Sequence, residues 1–68
     1  MEEYFVNKNA QPNGDHEVHS KRCFYLPIED NRISLGFFSN CFQAVQKAKE
    51  IFPTADGCYY CSSECHKR

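Results

Sequence analysis

A chain of 68 residues with a net charge of -1 and a pI near 6.3 holds a single domain and lacks the basic excess of a general nucleic-acid binder. No stretch approaches the roughly 20 apolar residues that cross a bilayer, so no membrane association is expected. Met1-Glu2-Glu3-Tyr4-Phe5 is acidic where a secretory leader is basic, and no apolar run follows it.

The hydrophobic share is 41%, with six Phe and four Tyr. Ordering a chain this short costs on the order of 100 kcal/mol at about 1.5 kcal/mol per residue, close to what such a core returns. A covalent or metal staple is therefore expected, and there are five cysteines to supply it. An odd count argues against a complete disulfide framework. Together with the missing leader it points to a reducing, cytoplasmic setting, where clustered cysteines more often bind metal.

Glu3 to Lys8 opens with β-favouring residues and predicts a first strand. The stretch 9–15, with Pro12 and Asn13-Gly14, is turn chemistry. His16-Glu17-Val18-His19 then predicts a second strand, paired with the first as a hairpin. His19 and Cys23 are four apart, a spacing that shares one face if the chain begins to coil. Phe24 to Ile28 is expected to line the core as an irregular connection, interrupted by Pro27, and Glu29 to Arg32 reads as a polar turn.

Ile33-Ser34-Leu35-Gly36-Phe37-Phe38 alternates as a half-buried strand does, with Gly36 marking a bulge or a close backbone approach. Ser39 or Asn40 is placed to cap a helix over about 40–51. Cys41, Ala44, Val45, Ala48 and Ile51 form its apolar stripe, which makes Cys41 a small core residue rather than a ligand. Pro53 stops the helix, and Thr54 to Gly57 is expected to turn the chain into Cys58-Tyr59-Tyr60-Cys61.

A Cys-x-x-Cys turn is half of many structural zinc sites, and the other half belongs far away in sequence, where closing the loop removes most chain entropy. The first choice of ligands is His19, Cys23, Cys58 and Cys61. Cys65 is the alternative to His19, giving four thiolates, and His66 is a third candidate. A closed set of four leaves no open coordination position, so the role is structural. A redox dithiol at Cys58 and Cys61 would want a βαβ context with the motif opening a helix, which is absent here. A cysteine nucleophile lacks any recognisable base or oxyanion site.

Taken together, Tyr4 to Asn9, His19-x3-Cys23, Leu35-Gly36-Phe37-Phe38-Ser39 with Ala44-Val45 and Ala48, and Gly57-Cys58-x2-Cys61 resemble the Ada-type zinc-binding domain over about residues 3–61. The resemblance implies zinc and a small α+β fold. In that family the zinc is held by four cysteines, and the first cysteine of the Cys-x3-Cys pair accepts a methyl group from a DNA methylphosphotriester. His19 stands at that position here, and imidazole cannot replace an activated thiolate.

The expectation is thus one α+β domain over residues 1–68, with short antiparallel strands, one main amphipathic helix and a C-terminal cysteine knuckle. Its expected role is that of a monomeric, non-enzymatic, zinc-stabilised binding module whose partner is a protein or a nucleic acid. Lys21, Arg22, Lys67, Arg68 and the nearby tyrosines are the groups that would touch nucleic acid. A less favoured role is alkyl acceptance at Cys23, Cys58, Cys61 or Cys65.

Overall fold

The computed structural model describes residues 1–67 as an α+β domain, a four-stranded and mostly antiparallel sheet with one α-helix against it. β1 (Glu2–Asn7) and β2 (His16–Ser20) form the expected hairpin, with Phe5 opposite His19 and Val6 opposite Val18. Its loop is organised by short polar side chains. Asn7 Oδ1 accepts from the Asn9 N–H and Asn13 Oδ1 from the Asp15 N–H, both at 2.9 Å. Gly14 takes φ +91°, a conformation that costs glycine nothing.

β3 (Arg32–Phe38) pairs antiparallel with the other edge of β1, and the strand order is β3-β1-β2-β4. Tyr4 pairs with Gly36 and Phe5 with Ser34, so Leu35 is an extra residue in the ladder. Gly36, at φ +105°, makes this bulge possible, and Leu35 is buried in the core.

The helix α1 (Cys41–Ala48) begins where expected. Asn40 Oδ1 accepts from the Gln43 N–H at 3.0 Å, and Gln43 Oε1 accepts from the Ser39 N–H at 3.2 Å. This reciprocal cap satisfies two otherwise orphaned donors. The helix ends earlier than expected. Beyond Ala48 the chain winds through tighter turns, with both Ile51 N–H and Phe52 N–H donating to Ala48 O. Pro53 biases Phe52 away from helical geometry, and the Phe52 ring stacks on His16 at 3.7 Å. Ile51 is left 44% exposed, so it does not belong to the buried stripe.

Two further expectations are corrected. Thr54 to Gly57 is not merely a turn, because Ala55–Gly57 forms β4, parallel to β2. The open edge of β2 supplies partners for its backbone: Thr54 O accepts from His16 N–H, and Val18 O from Cys58 N–H. Phe24 to Ile28 does not line the core either. Phe24, Tyr25 and Ile28 are exposed, because the helix already covers the apolar face of the sheet. There Tyr4, Val6, Val18, Leu35 and Ala55 meet Cys41, Ala44 and Ala48. Among the described residues no helix is long and apolar enough to cross a membrane.

Candidate metal centre

Side chains alternate along a strand, so if Val18 faces the helix, His19 leaves the opposite face. His19 is 1% exposed there. β2 ends at Ser20, and two turns follow: Cys23 N–H donates to Ser20 O at 3.0 Å and Leu26 N–H to Cys23 O at 3.1 Å. These turns, rather than a helix, bring Cys23 back beside its neighbour, with Sγ 3.4 Å from His19 Nδ1.

The second ligand pair arrives through β4. The strand delivers Cys58 next to β2, and Ser62 N–H donates to Cys58 O at 2.9 Å to close the knuckle. Gly57 is where the packing is tightest. A Cβ on it would lie 2.6 Å from Cys65 Cβ and 2.7 Å from Ser62 O. Cys58 Sγ lies 3.8 Å from Cys23 Sγ, and the Ser20 N–H donates to Cys61 Sγ at 3.4 Å.

The four side-chain ligand atoms of His19, Cys23, Cys58 and Cys61 all lie within 4.8 Å of one another, close enough to bind a metal ion. A tetrahedral zinc with metal–sulfur bonds of about 2.3 Å and metal–nitrogen bonds of about 2.0–2.1 Å needs sulfur–sulfur edges of about 3.8 Å and sulfur–nitrogen edges of about 3.6 Å. The Cys23–Cys58 and His19–Cys23 separations of 3.8 and 3.4 Å fit those edges. The donor set fits as well, since three sulfurs and an imidazole are ligands that zinc favours.

Electrostatically the three cysteines differ. Burial works to raise the pKa of Cys61, but it is outweighed by hydrogen bonds from His19, Cys23, the Ser20 N–H and the Ser62 hydroxyl, and the pKa is lowered to about 6. Burial, followed by its contact with Cys61, pushes Cys23 up to about 12. Burial also raises Cys58. The metal-free cluster thus holds one ready thiolate and two thiols.

The other two ligand candidates are engaged elsewhere. Cys65 is joined to Cys41 in a disulfide. His66 Nδ1 lies 3.0 Å from Gly57 O and 3.2 Å from Asp56 Oδ2. The disulfide is the feature that sequence reasoning missed. The five cysteines divide into one bonded pair and a set of three, so the odd count did not exclude a disulfide. Cys41 is in the core as expected, but it is not a free thiol.

The aromatic residues beside the ligands do not fold over the cluster. Phe24, Tyr25, Tyr59 and Tyr60 are 92%, 51%, 60% and 67% exposed. Their rings nevertheless touch in sequence across the two ligand-bearing loops. Phe24 meets Tyr25 edge-on at 5.4 Å, Tyr25 stacks on Tyr60 at 4.5 Å, and Tyr60 meets Tyr59 at 5.1 Å. No protein-family model, curated protein or solved structure matches this chain.

Proposed function

We propose that this protein is a non-enzymatic binding module stabilised by one structural zinc, of the Ada-like type that its motif order resembles. The observation that carries the reading is the convergence of two short ligand pairs, His19/Cys23 and Cys58/Cys61, within 4.8 Å. Four protein ligands fill a tetrahedral zinc, so the metal supplies folding energy and no site for substrate. The chemistry of an alkyl acceptor is disfavoured because the matching position is His19. Cys23, Cys58 and Cys61 remain the thiolates to monitor, since Cys65 is bonded to Cys41.

The working surface of the module is the contiguous set of Phe24, Tyr25, Tyr59 and Tyr60. Rings fixed beside a metal are held in place before a partner arrives, which lowers the entropy lost on binding. Tyrosine and phenylalanine are also enriched at protein interfaces.

The test of the zinc reading is native mass spectrometry of the full chain expressed with zinc, repeated after chelation with circular dichroism. One zinc per chain, with part of the structure lost on its removal, supports it. A chain expressed with zinc that folds with Cys23, Cys58 and Cys61 reduced and holds no zinc would sink it. The proposed setting is cytoplasmic and the proposed state monomeric. In the cytoplasm thiolate ligands stay reduced, and there Cys41 and Cys65 would also tend to the dithiol form. Alkylation of those two residues in fresh cell extract decides between the settings.

Nucleic-acid contact is the second reading, favoured by exposed rings that can stack on bases and by Lys21, Arg22 and Lys67 in the same segments. Arg68 lies outside the described residues. Glu3 and Glu2 stand 4.0 and 3.8 Å from Lys21 and Arg22 and oppose this reading. Oligonucleotide binding that weakens steeply with salt would support it, and no binding at low salt would remove it. A methylated-DNA incubation followed by intact-mass measurement tests alkyl acceptance in the same sample; an unchanged mass rejects it.

A further inference from the structure

Beyond the four candidate ligands, the cluster has one acidic neighbour on the same strand. Glu17 and His19 are two residues apart in β2, so their side chains leave one face of the sheet. His19 turns Nδ1 toward the sulfurs, 3.4 Å from Cys23 Sγ. Its other nitrogen, Nε2, lies 3.7 Å from Glu17 Oε1, and the two side chains are only 2% and 17% exposed.

We propose that Glu17 is a positioning residue for the metal, acting through His19. A neutral imidazole carries its proton on one nitrogen and its lone pair on the other, and the partner of the protonated nitrogen selects the tautomer. With a metal bound, a carboxylate beside Nε2 keeps the proton there and leaves the lone pair on Nδ1, aimed at the cluster. It also fixes the ring plane and raises the basicity of the ligating nitrogen. This inference rests on the metal reading of the cluster.

The surroundings of Glu17 support the assignment. Asp56 pairs with Glu17 across β4, but its carboxylate accepts from the Lys67 N–H at 3.0 and 3.1 Å and faces His66 at 3.2 Å. These contacts direct it to the C-terminal turn. The other histidines are tied differently. His16 sets Nδ1 against Asn7 O at 2.9 Å, and His66 sets Nδ1 against both Gly57 O and Asp56. Of the three, His19 is the one with sulfur beside one nitrogen and a carboxylate beside the other.

The test uses the full chain loaded with zinc. Competition with a fluorescent chelator should show Glu17→Ala binding zinc about 10- to 100-fold more weakly than the parent. Glu17→Gln keeps an oxygen acceptor and should recover most of that loss. Long-range proton–nitrogen correlation spectra of the parent should show His19 protonated at Nε2 and metal-bound at Nδ1. That spectrum needs no variant, so the proposal stays testable even if Glu17→Ala fails to fold.

Parent-like zinc affinity in Glu17→Ala, or zinc bound through Nε2, would overturn the role of Glu17 and leave the metal site standing. A parent chain that takes up no zinc would overturn both.

Discussion

The two faces of the sheet are held by different physics. On the helix face the fully buried side chains are small and apolar, with Val6, Val18, Ala44 and Ala48 at 0% exposure. On the opposite side the buried groups include the His19 imidazole and the Cys58 thiol, at 1% each, while the large aromatic rings next to them point outward. Apolar packing gains stability with area removed from water. A buried imidazole and thiols gain it only if something satisfies them. The helix face is therefore a core in the ordinary sense, whereas the other face gathers His19, Cys23, Cys58 and Cys61 close enough to bind a metal ion. The chain is stapled by a disulfide under the helix, and the proposed zinc would staple the loops on the other side.

This contrast can be broken most forcefully at the ligands. Structural zinc contributes roughly 10–16 kcal/mol in small peptides at neutral pH, more than any single contact on the helix face. Cys58→Ala should reduce zinc affinity by orders of magnitude and broaden amide resonances over residues 19–26 and 57–62, while those of α1 persist.

Acid should act on the same face. Cys61 is lowered to about 6 and Cys23 pushed up to about 12, from an ordinary value of 9.0. The folded, metal-free chain keeps a thiolate at Cys61 that the unfolded chain loses below pH 9. That contribution is complete above pH 9 and vanishes as pH falls through about 6. Cys23 works in the opposite sense, its contribution intact below pH 9 and lost as pH rises toward 12. Urea midpoints of the metal-free protein should therefore climb from pH 6 to pH 9 and decline beyond. Zinc binding at pH 7.5 should release about two protons, from Cys23 and Cys58, measurable by calorimetry in buffers of different ionisation enthalpy.

Smaller effects are expected where the two faces meet. The Cys41–Cys65 bridge spans 24 residues, and opening such a loop costs about 3 kcal/mol in the chain-entropy account. Mild reduction of zinc-loaded protein should lower its unfolding free energy in urea titrations by that much while zinc stays bound. Gly57→Ala would drive a methyl group into Cys65 and the Ser62 carbonyl, an overpacking expected to cost about 1–3 kcal/mol. It should weaken zinc binding as well, since Gly57 directly precedes Cys58.

The smallest effect sharpens the comparison. Phe24 is 92% exposed, so Phe24→Ala should change stability by less than about 0.5 kcal/mol. A large loss on thermal or urea unfolding would mean that the ring packs over the cluster after all. A stability-neutral change would leave it available to a partner.

The parts of the fold that rest on local rules were legible beforehand. The hairpin follows from Asn13-Gly14 between two β-favouring runs, the bulge from Gly36 within a strand, and the helix start from the capping residues Ser39 and Asn40 ahead of an apolar stripe. The grouping of His19, Cys23, Cys58 and Cys61 in one cluster was legible because Cys-x-x-Cys and His-x3-Cys have spacings that coordination demands. The strand Ala55–Gly57 was not, because three residues carry no readable period and β4 exists only because the edge of β2 was open. The exposure of Phe24 and Tyr25 was hidden for a similar reason. An aromatic pair reads as core until the helix has taken the apolar face.

What the sequence determined by itself, then, is the local chemistry: turn residues, a helix cap, alternating strands, and candidate ligands grouped in two short pairs. Each depends on neighbours within about four positions, which is the range over which backbone geometry constrains side chains. The tertiary structure decided which distant groups meet. It paired Cys41 with Cys65 and left three cysteines with His19. It also turned one nitrogen of that histidine toward sulfur and the other toward Glu17. Those choices depend on how β2, β4 and α1 come together in space, and spacing along the chain does not encode that.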